Sequence, residues 1–477
     1  MARLRLRGST AAAFICALAL LAGCQHYVDK PVKSEQTADA LLHRSLADPG
    51  LHAFLEKNLG HDLPDWPVKT WDFDTLNWVA LYYNPSLDVA RTQWGVVRGS
   101  IVTAAESPNP NISISPGYDF NPGNAISPWF PGISFNWPIE TAGKREKRIQ
   151  FSELQAEAAR QTVFATAWQV RTQLRQALIQ YGVAARRAQT LRDLAGTQHR
   201  VLDLLVQRLN AGAVATDEIS ATRVAVVKAE ADAGNADQQL AVAKTQLAQV
   251  LGVPVSALED QNFSDSSIVT PRAYTAEELS TARALCLHSR PDILSALVSY
   301  DASQAKLRLE LARQYPDLQL GSGYLYDLGE NKWNITFGIE LPIMNDNEGL
   351  IAEAQASRRA AAAQLIAVQA HVIADIDAAE AANTAATATL ENLVRVQSEL
   401  EKHFKLVGQQ HDAGEADQLD YQTAQLDLDA GTLAVVDAQA QAALATAQLE
   451  DTFQVPFANL AAVQNDAHPL TPSPNSP

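Results

Sequence analysis

The residues best able to do chemistry in this chain gather in two short stretches. One runs from Arg208 through Gly212 to Asp217 and Glu218; the other holds Asp412, Gly414, Glu415, Asp417 and Asp420. Carboxylates at this density suggest three chemistries: metal binding, acid–base catalysis or a charged constriction. The ten histidines are scattered, with no His-x-x-His or Cys-x-x-Cys spacing, so no metal site is read. No Gly-x-Ser-x-Gly, Walker loop or acid pair stands in its expected context, so the chain reads as no enzyme, and no cofactor is implied. Two readings of the acids stay open. They cap returning helices at their N-termini, or, repeated around an axis by several copies, they make a negative constriction that favours cations. Arg208, just before the first turn, is placed to pair with one of these acids and hold such a constriction shut.

The elements that must position these residues are long helices. Gly212 and Gly414 interrupt alanine-rich runs with no proline, about 142–209 and 349–410, and each suits a C-cap of positive φ. Shorter helices then return, ending near Gln249 and Leu449. A run of some 65 residues reaches on the order of 100 Å. The two turns belong to an internal duplication. Asn84-Pro85 is echoed by Arg290-Pro291 and Asn109-Pro110 by Tyr315-Pro316, both at an offset of 206. Pro138 is echoed by Pro342 at 204, Gly212 by Gly414 at 202, and Pro254 by Pro456 at 202. Each copy reads as a helix (about 74–105, then 275–313), two strands, and a long helical hairpin. In the second copy Trp333, Ile335, Phe337, Ile339 and Leu341 alternate with Asn334, Thr336, Gly338 and Glu340. That is a strand with one apolar and one wet face, long enough to cross a bilayer when tilted. Trp129, Phe130, Trp137 and Trp333 cluster around the strands as an aromatic girdle would. Four candidate strands cannot close a barrel, and open edges cannot face lipid, so several chains must share one barrel.

The chain opens with Arg3, Arg5 and Arg7 before an apolar stretch too short to span, the pattern of a secretory signal peptide. It ends in Leu21-Ala22-Gly23-Cys24, which resembles the bacterial lipobox and implies a lipidated Cys24; Gln25 after it favours the outer membrane. Of three cysteines only Cys286 then stays free, so no intramolecular disulfide forms. Loss of the signal arginines takes the formal charge from −17 to about −20, which argues against nucleic acid as a partner.

With these features the chain resembles the TolC family of outer membrane efflux proteins. The resemblance rests on the duplication, the Asn84-Pro85 and Arg290-Pro291 steps, the Pro-ended strands and the tip turns, where Glu218 and Asp420 hold the family's acidic position. It implies a mainly α fold with membrane β: a tandem strand-pair-plus-hairpin unit, assembled as a homotrimer with a 12-stranded barrel and an α-helical tunnel. It implies a passive exit duct of a tripartite pump. Its periplasmic adaptor would meet the tip at Arg208, Gly212, Asp217, Glu218, Gly414, Asp417 and Asp420, and an inner-membrane transporter, of the RND type, would drive it. The Gly143-Lys144-Arg145 step is similar to the CzcC-like branch, whose pumps export heavy-metal cations. Export of drugs or other small organic compounds is the alternative. A periplasmic adaptor would carry one hairpin, and a structural coiled-coil lipoprotein no alternating strands. The expected organisation is a signal peptide over 1–23, a lipid-anchored segment over 24–71, repeats over 72–258 and 259–457, and a disordered tail over 458–477.

Overall fold

The structure, a computed structural model, describes residues 27–121, 123, 127–264, 274–327 and 329–454. The signal peptide, Cys24, Pro456 and the tail lie outside the described residues. The chain divides into two compact units, the first ending at Ser45 and the second beginning at Leu46, a boundary inside the segment 24–71. The first unit carries one short helix, α1 (Ser34–Leu42), with no buried residue.

The second unit begins with α2 (Pro49–Leu59), the two-residue strand β1 (Thr70–Trp71), α3 (Phe73–Tyr83) and α4 (Pro85–Ala105). Strands β2 (Asn111–Tyr118) and β3 (Trp129–Ile139) follow, then the hairpin of α5 (Lys144–Asn210) and α6 (Thr216–Leu251). A short strand, β4 (Asn262–Phe263), leads into the second copy: α7 (Ala276–Ser289), α8 (Pro291–Ala312), β5 (Leu318–Asp327), β6 (Glu330–Ile339), α9 (Glu348–Asp412) and α10 (Gln418–Phe453).

Each helix expected ahead of a strand pair is in fact two. Pro85 and Pro291 sit at a first helical position, where proline's missing N–H is harmless, and push the preceding residue into extended backbone. Asn84 (φ −68°, ψ 120°) and Arg290 (φ −62°, ψ 129°) adopt nearly the same conformation. Both side chains then reach a carbonyl at the end of a returning helix. Asn84 Nδ2 donates to Val250 O at 2.9 Å, and Arg290 Nη1 donates to Thr452 O while its guanidinium grips Asp292 at 2.6 Å. Val250 and Thr452 are 202 residues apart, so the two copies share one joint.

The long helices α5 and α9 have 67 and 65 residues. α5 packs against α4 and α6, and also against α8 and α10, while α9 packs along α8 and α10. The neighbours in the wall therefore run α4 and α6, α5, α8 and α10, α9. Both lateral edges expose apolar side chains: Val89, Val96, Val224 and Val227 on one, Ile366, Ile373, Val394 and Leu406 on the other. Part-way along α5 a belt of Leu51, Leu55, Trp71, Leu76 and Val79 buries against Leu174, Leu178, Leu247 and Leu251. Full burial of each such side chain contributes about 1.5–3 kcal/mol. The parallel pairing of β1 with β4 closes this belt, and Trp71 Nε1 donates to Gln261 at 2.9 Å.

The main sheet is antiparallel in the order β2-β3-β5-β6. Its register sorts the side chains cleanly. One cross-strand row is Ile114, Ile133, Tyr324, Trp333; the next on that face is Ile112, Phe135, Ser322, Ile335. Between them, on the opposite face, lies Ser113, Ser134, Gly323, Asn334, and beyond it Asn111, Asn136, Gly321, Thr336. One face is thus apolar and exposed, the other small and polar. Phe130 departs from the girdle expected of it: it points to the polar face, its ring lying 2.0 Å from where a Cβ on Gly117 would sit. Strand alternation puts Trp129 and Trp137 on the apolar face instead.

Candidate functional site

The two hairpin ends are built alike. Gly212 (φ 72°) and Gly414 (φ 76°) take the left-handed conformation that glycine adopts without penalty. The turns close through Gly212 N–H to Leu209 O at 2.8 Å and Gly414 N–H to His411 O at 3.0 Å. A small apolar cluster then joins the ends of both copies, with Val201, Leu205 and Ile219 packed against Leu419 and Leu426.

The candidate residues divide by what they touch. Asp417 is the N-cap of α10: its carboxylate accepts from Leu419 N–H at 2.8 Å and Asp420 N–H at 3.0 Å, while Asp420 accepts from Asp417 N–H at 3.1 Å. Asp217 and Glu218 lie exposed in the first turn of α6, favourable against its N-terminal dipole. Arg208, at the end of α5, donates through Nη2 to Asp417. That ion pair ties the first copy to the second. The Asp420 N–H holds the Asp417 carboxyl below the usual carboxylate range against partial burial, and the Arg208 guanidinium adds to the lowering. Among the described residues no group of three or more His, Cys, Asp or Glu is placed to hold a metal ion.

Above this end, polar links continue along the seam between α5 and α10. Thr197 Oγ1 donates to Asp429 at 3.0 Å, Arg200 Nε to Gln422 at 2.9 Å and Arg187 to Asp437 at 2.5 Å. At its far end Arg175 donates to Glu450, and Trp168 Nε1 to Asp451 at 2.9 Å. Arg171 and Arg175 lie over the Phe73 ring, at 5.0 and 4.4 Å from its centroid.

Helices and sheet meet at joints that sequence reading missed. Arg145 Nε donates to Ala105 O at 2.6 Å and Arg148 Nε to Ala104 O at 2.9 Å, so both cap the end of α4; Arg148 also pairs with Glu140 at 2.6 Å. Lys144 reaches Asp317 of the second copy at 2.7 Å. The Gly-Lys-Arg step is thus a structural joint. In the second copy Glu310, 1% exposed, pairs with Lys306 at 2.8 Å and Arg313 at 2.9 Å and accepts from Asn347 at 3.1 Å. Burial pushes the Glu310 carboxyl up, but its hydrogen bonds to Lys306 and Asn347 and the Arg313 charge outweigh this, and it ends below the usual range. The one available signal was a matching left-handed residue, Gly143 (φ 65°) and Asn347 (φ 68°), 204 positions apart. Cys286 is buried, which pushes its thiol up and fits a packing role.

The family model for outer membrane efflux proteins matches the sequence twice, over residues 79–253 and 283–452, once for each copy. The chain belongs to the outer membrane efflux protein family. The chain is also similar to the cobalt-zinc-cadmium resistance protein CzcC from Cupriavidus metallidurans, with 26% identity over 269 residues. That match spans 56% of this chain and 62% of the relative, under two thirds of its length. Among solved structures the efflux-family fold is shared with the outer membrane protein VceC from Vibrio cholerae, at TM-score 0.65 and 18% identity over 81% of this chain and 96% of that one. It is shared too with the Campylobacter jejuni CmeC outer membrane channel, at TM-score 0.63 and 14% identity over 94% and 99%. No helix of the described residues of this efflux family member is long and apolar enough to cross a membrane.

Proposed function

We propose that the protein is the outer-membrane exit duct of a tripartite efflux pump, with three copies closing a 12-stranded barrel above an α-helical tunnel. One observation carries this reading: the four-stranded sheet has a continuous apolar face and leaves β2 and β6 unpaired at its edges. Lipid would meet the apolar face, and only further chains can satisfy the edge backbone away from water. The exposed apolar residues on α4 and α6 and on α9 support the same contact between copies along the tunnel. Heat-modifiable trimers in outer-membrane fractions, and conductance in planar bilayers, are expected. A soluble monomer after removal of the lipid anchor at Cys24 would overturn the proposal.

In this reading the ends marked by Gly212 and Gly414 face the periplasm and meet the hairpins of an adaptor. The Arg208–Asp417 pair holds them closed, and an inner-membrane transporter of the RND type supplies the energy. The name of the C. metallidurans relative supports heavy-metal cations as cargo. Deletion of the gene followed by growth on zinc, cobalt, copper and organic toxicants separates metal from organic export.

A further inference from the structure

Part-way along α5, between α6 and α10, lies a cavity of about 550 Å³, open on one side. The cavity adjoins the belt: Ile179 in its lining belongs to the belt's buried cluster, and Val183 and Leu444 pack against that cluster.

Its chemistry is mixed in a particular way. Val183, Val242, Ala440 and Leu444 make an apolar patch, with Val242 51% exposed. Around it stand the carboxamides of Gln180, Gln238, Gln239, Gln246 and Gln441, exposed and without hydrogen-bond partners among the described residues. Each offers both a donor and an acceptor. The only ionic groups are Arg187 and Asp437, which neutralise each other at 2.5 Å. In a chain of formal charge −17 this is a locally neutral site. A bare cation finds no uncompensated carboxylate here, and oxygen-seeking divalent ions prefer several. An uncharged molecule with an apolar body and several polar groups satisfies both the patch and the amides, and the volume suits one of drug size.

We infer that this cavity, beside the belt, is a binding site for an uncharged amphipathic organic molecule. The inference adds a ligand class to the duct reading. The site is weak, since it is open and its amides remain hydrated, so a dissociation constant of about a millimolar is expected.

The test uses the full-length protein with Val242→Cys in a Cys286→Ser background, and follows the rate of labelling by a water-soluble maleimide. Chloramphenicol, at about five times a millimolar dissociation constant, should slow labelling about sixfold. Glucose at the same concentration should not, and labelling of Lys57→Cys, exposed on α2 and outside the cavity lining, should be indifferent to both. Adding Ala440→Trp, which fills the cavity, should abolish the protection while the cysteine still labels. Unchanged labelling in chloramphenicol, equal protection by glucose, or protection that survives Ala440→Trp would each overturn the site. Planar-bilayer conductance of the same preparation separates the two levels. Protein that conducts but shows no protection refutes the site alone, and protein that never conducts refutes the duct.

Discussion

Arg208 and Asp417 make one ion pair, but its surroundings decide how it responds. Asp417 already accepts two backbone N–H groups, so its charge is wanted for the cap as well as for the pair. Arg208→Ala and Asp417→Asn should each raise the closed-state conductance in planar bilayers, and the double variant should add little beyond either. Additive effects would mean that the two side chains act separately. Because the Asp417 carboxyl is held below its unfolded value, its contribution is fully present above that value and is lost as pH falls through the lowered one. Conductance should therefore stay level from about pH 7 to 5 and rise only below the ordinary carboxylate range, near pH 4. Glu310 is a different case, since it is almost wholly buried between two cations. Glu310→Ala leaves Asn347 and both cations without it, and should cost about 1–3 kcal/mol, seen as a lowered midpoint of thermal unfolding.

At the scale of elements, the turns are where one side chain does most damage. A β-branched residue at φ near +75° is strained whatever space surrounds it, and Gly414→Val should cost roughly 1–2 kcal/mol. The adjoining ends of α9 and α10 should then exchange amide hydrogens faster than the same helices near the belt. Much of this level was legible in the sequence. Proline-free runs, paired glycines and strict strand alternation are local signals, and each long hairpin stands where they put it. The helix breaks at Asn84 and Arg290 were half legible: Pro85 and Pro291 announce a kink, but nothing local says that both side chains reach across to the returning helices. The Arg145 and Arg148 caps and the Asn347 contact of Glu310 were not legible, because those partners lie some 40 residues away and meet only once the chain has folded, whereas Lys306 and Arg313 stand within four positions of Glu310.

For the whole molecule, the sorting of the sheet into two faces makes a sharp prediction from adjacent residues. Ile335→Lys places a charge on the apolar face and should cost about 2–4 kcal/mol if that face meets the bilayer midplane. Thr336→Lys, one residue on, points to the polar face and should be tolerated. Outer-membrane yield and heat-modifiable trimer read both, and equal effects would contradict the proposed barrel. The tip's carboxylates show where reading by residue type reaches its end. Asp417 and Asp420 form a capping box while the helix carrying Asp217 and Glu218 starts with no side-chain cap hydrogen bond, a difference that composition around two similar glycines could not reveal. The pairing of Arg208 has a last consequence. Its counterpart in the second copy is Gln410, which cannot form the same bond, so the two halves are no longer equivalent where they most resemble each other. An ancestor assembled from identical half-chains would have had to place the same residue at every turn. Joining two halves in one polypeptide removed that constraint: one turn could keep the cation and the other the anion, and each could drift without dragging its twin along.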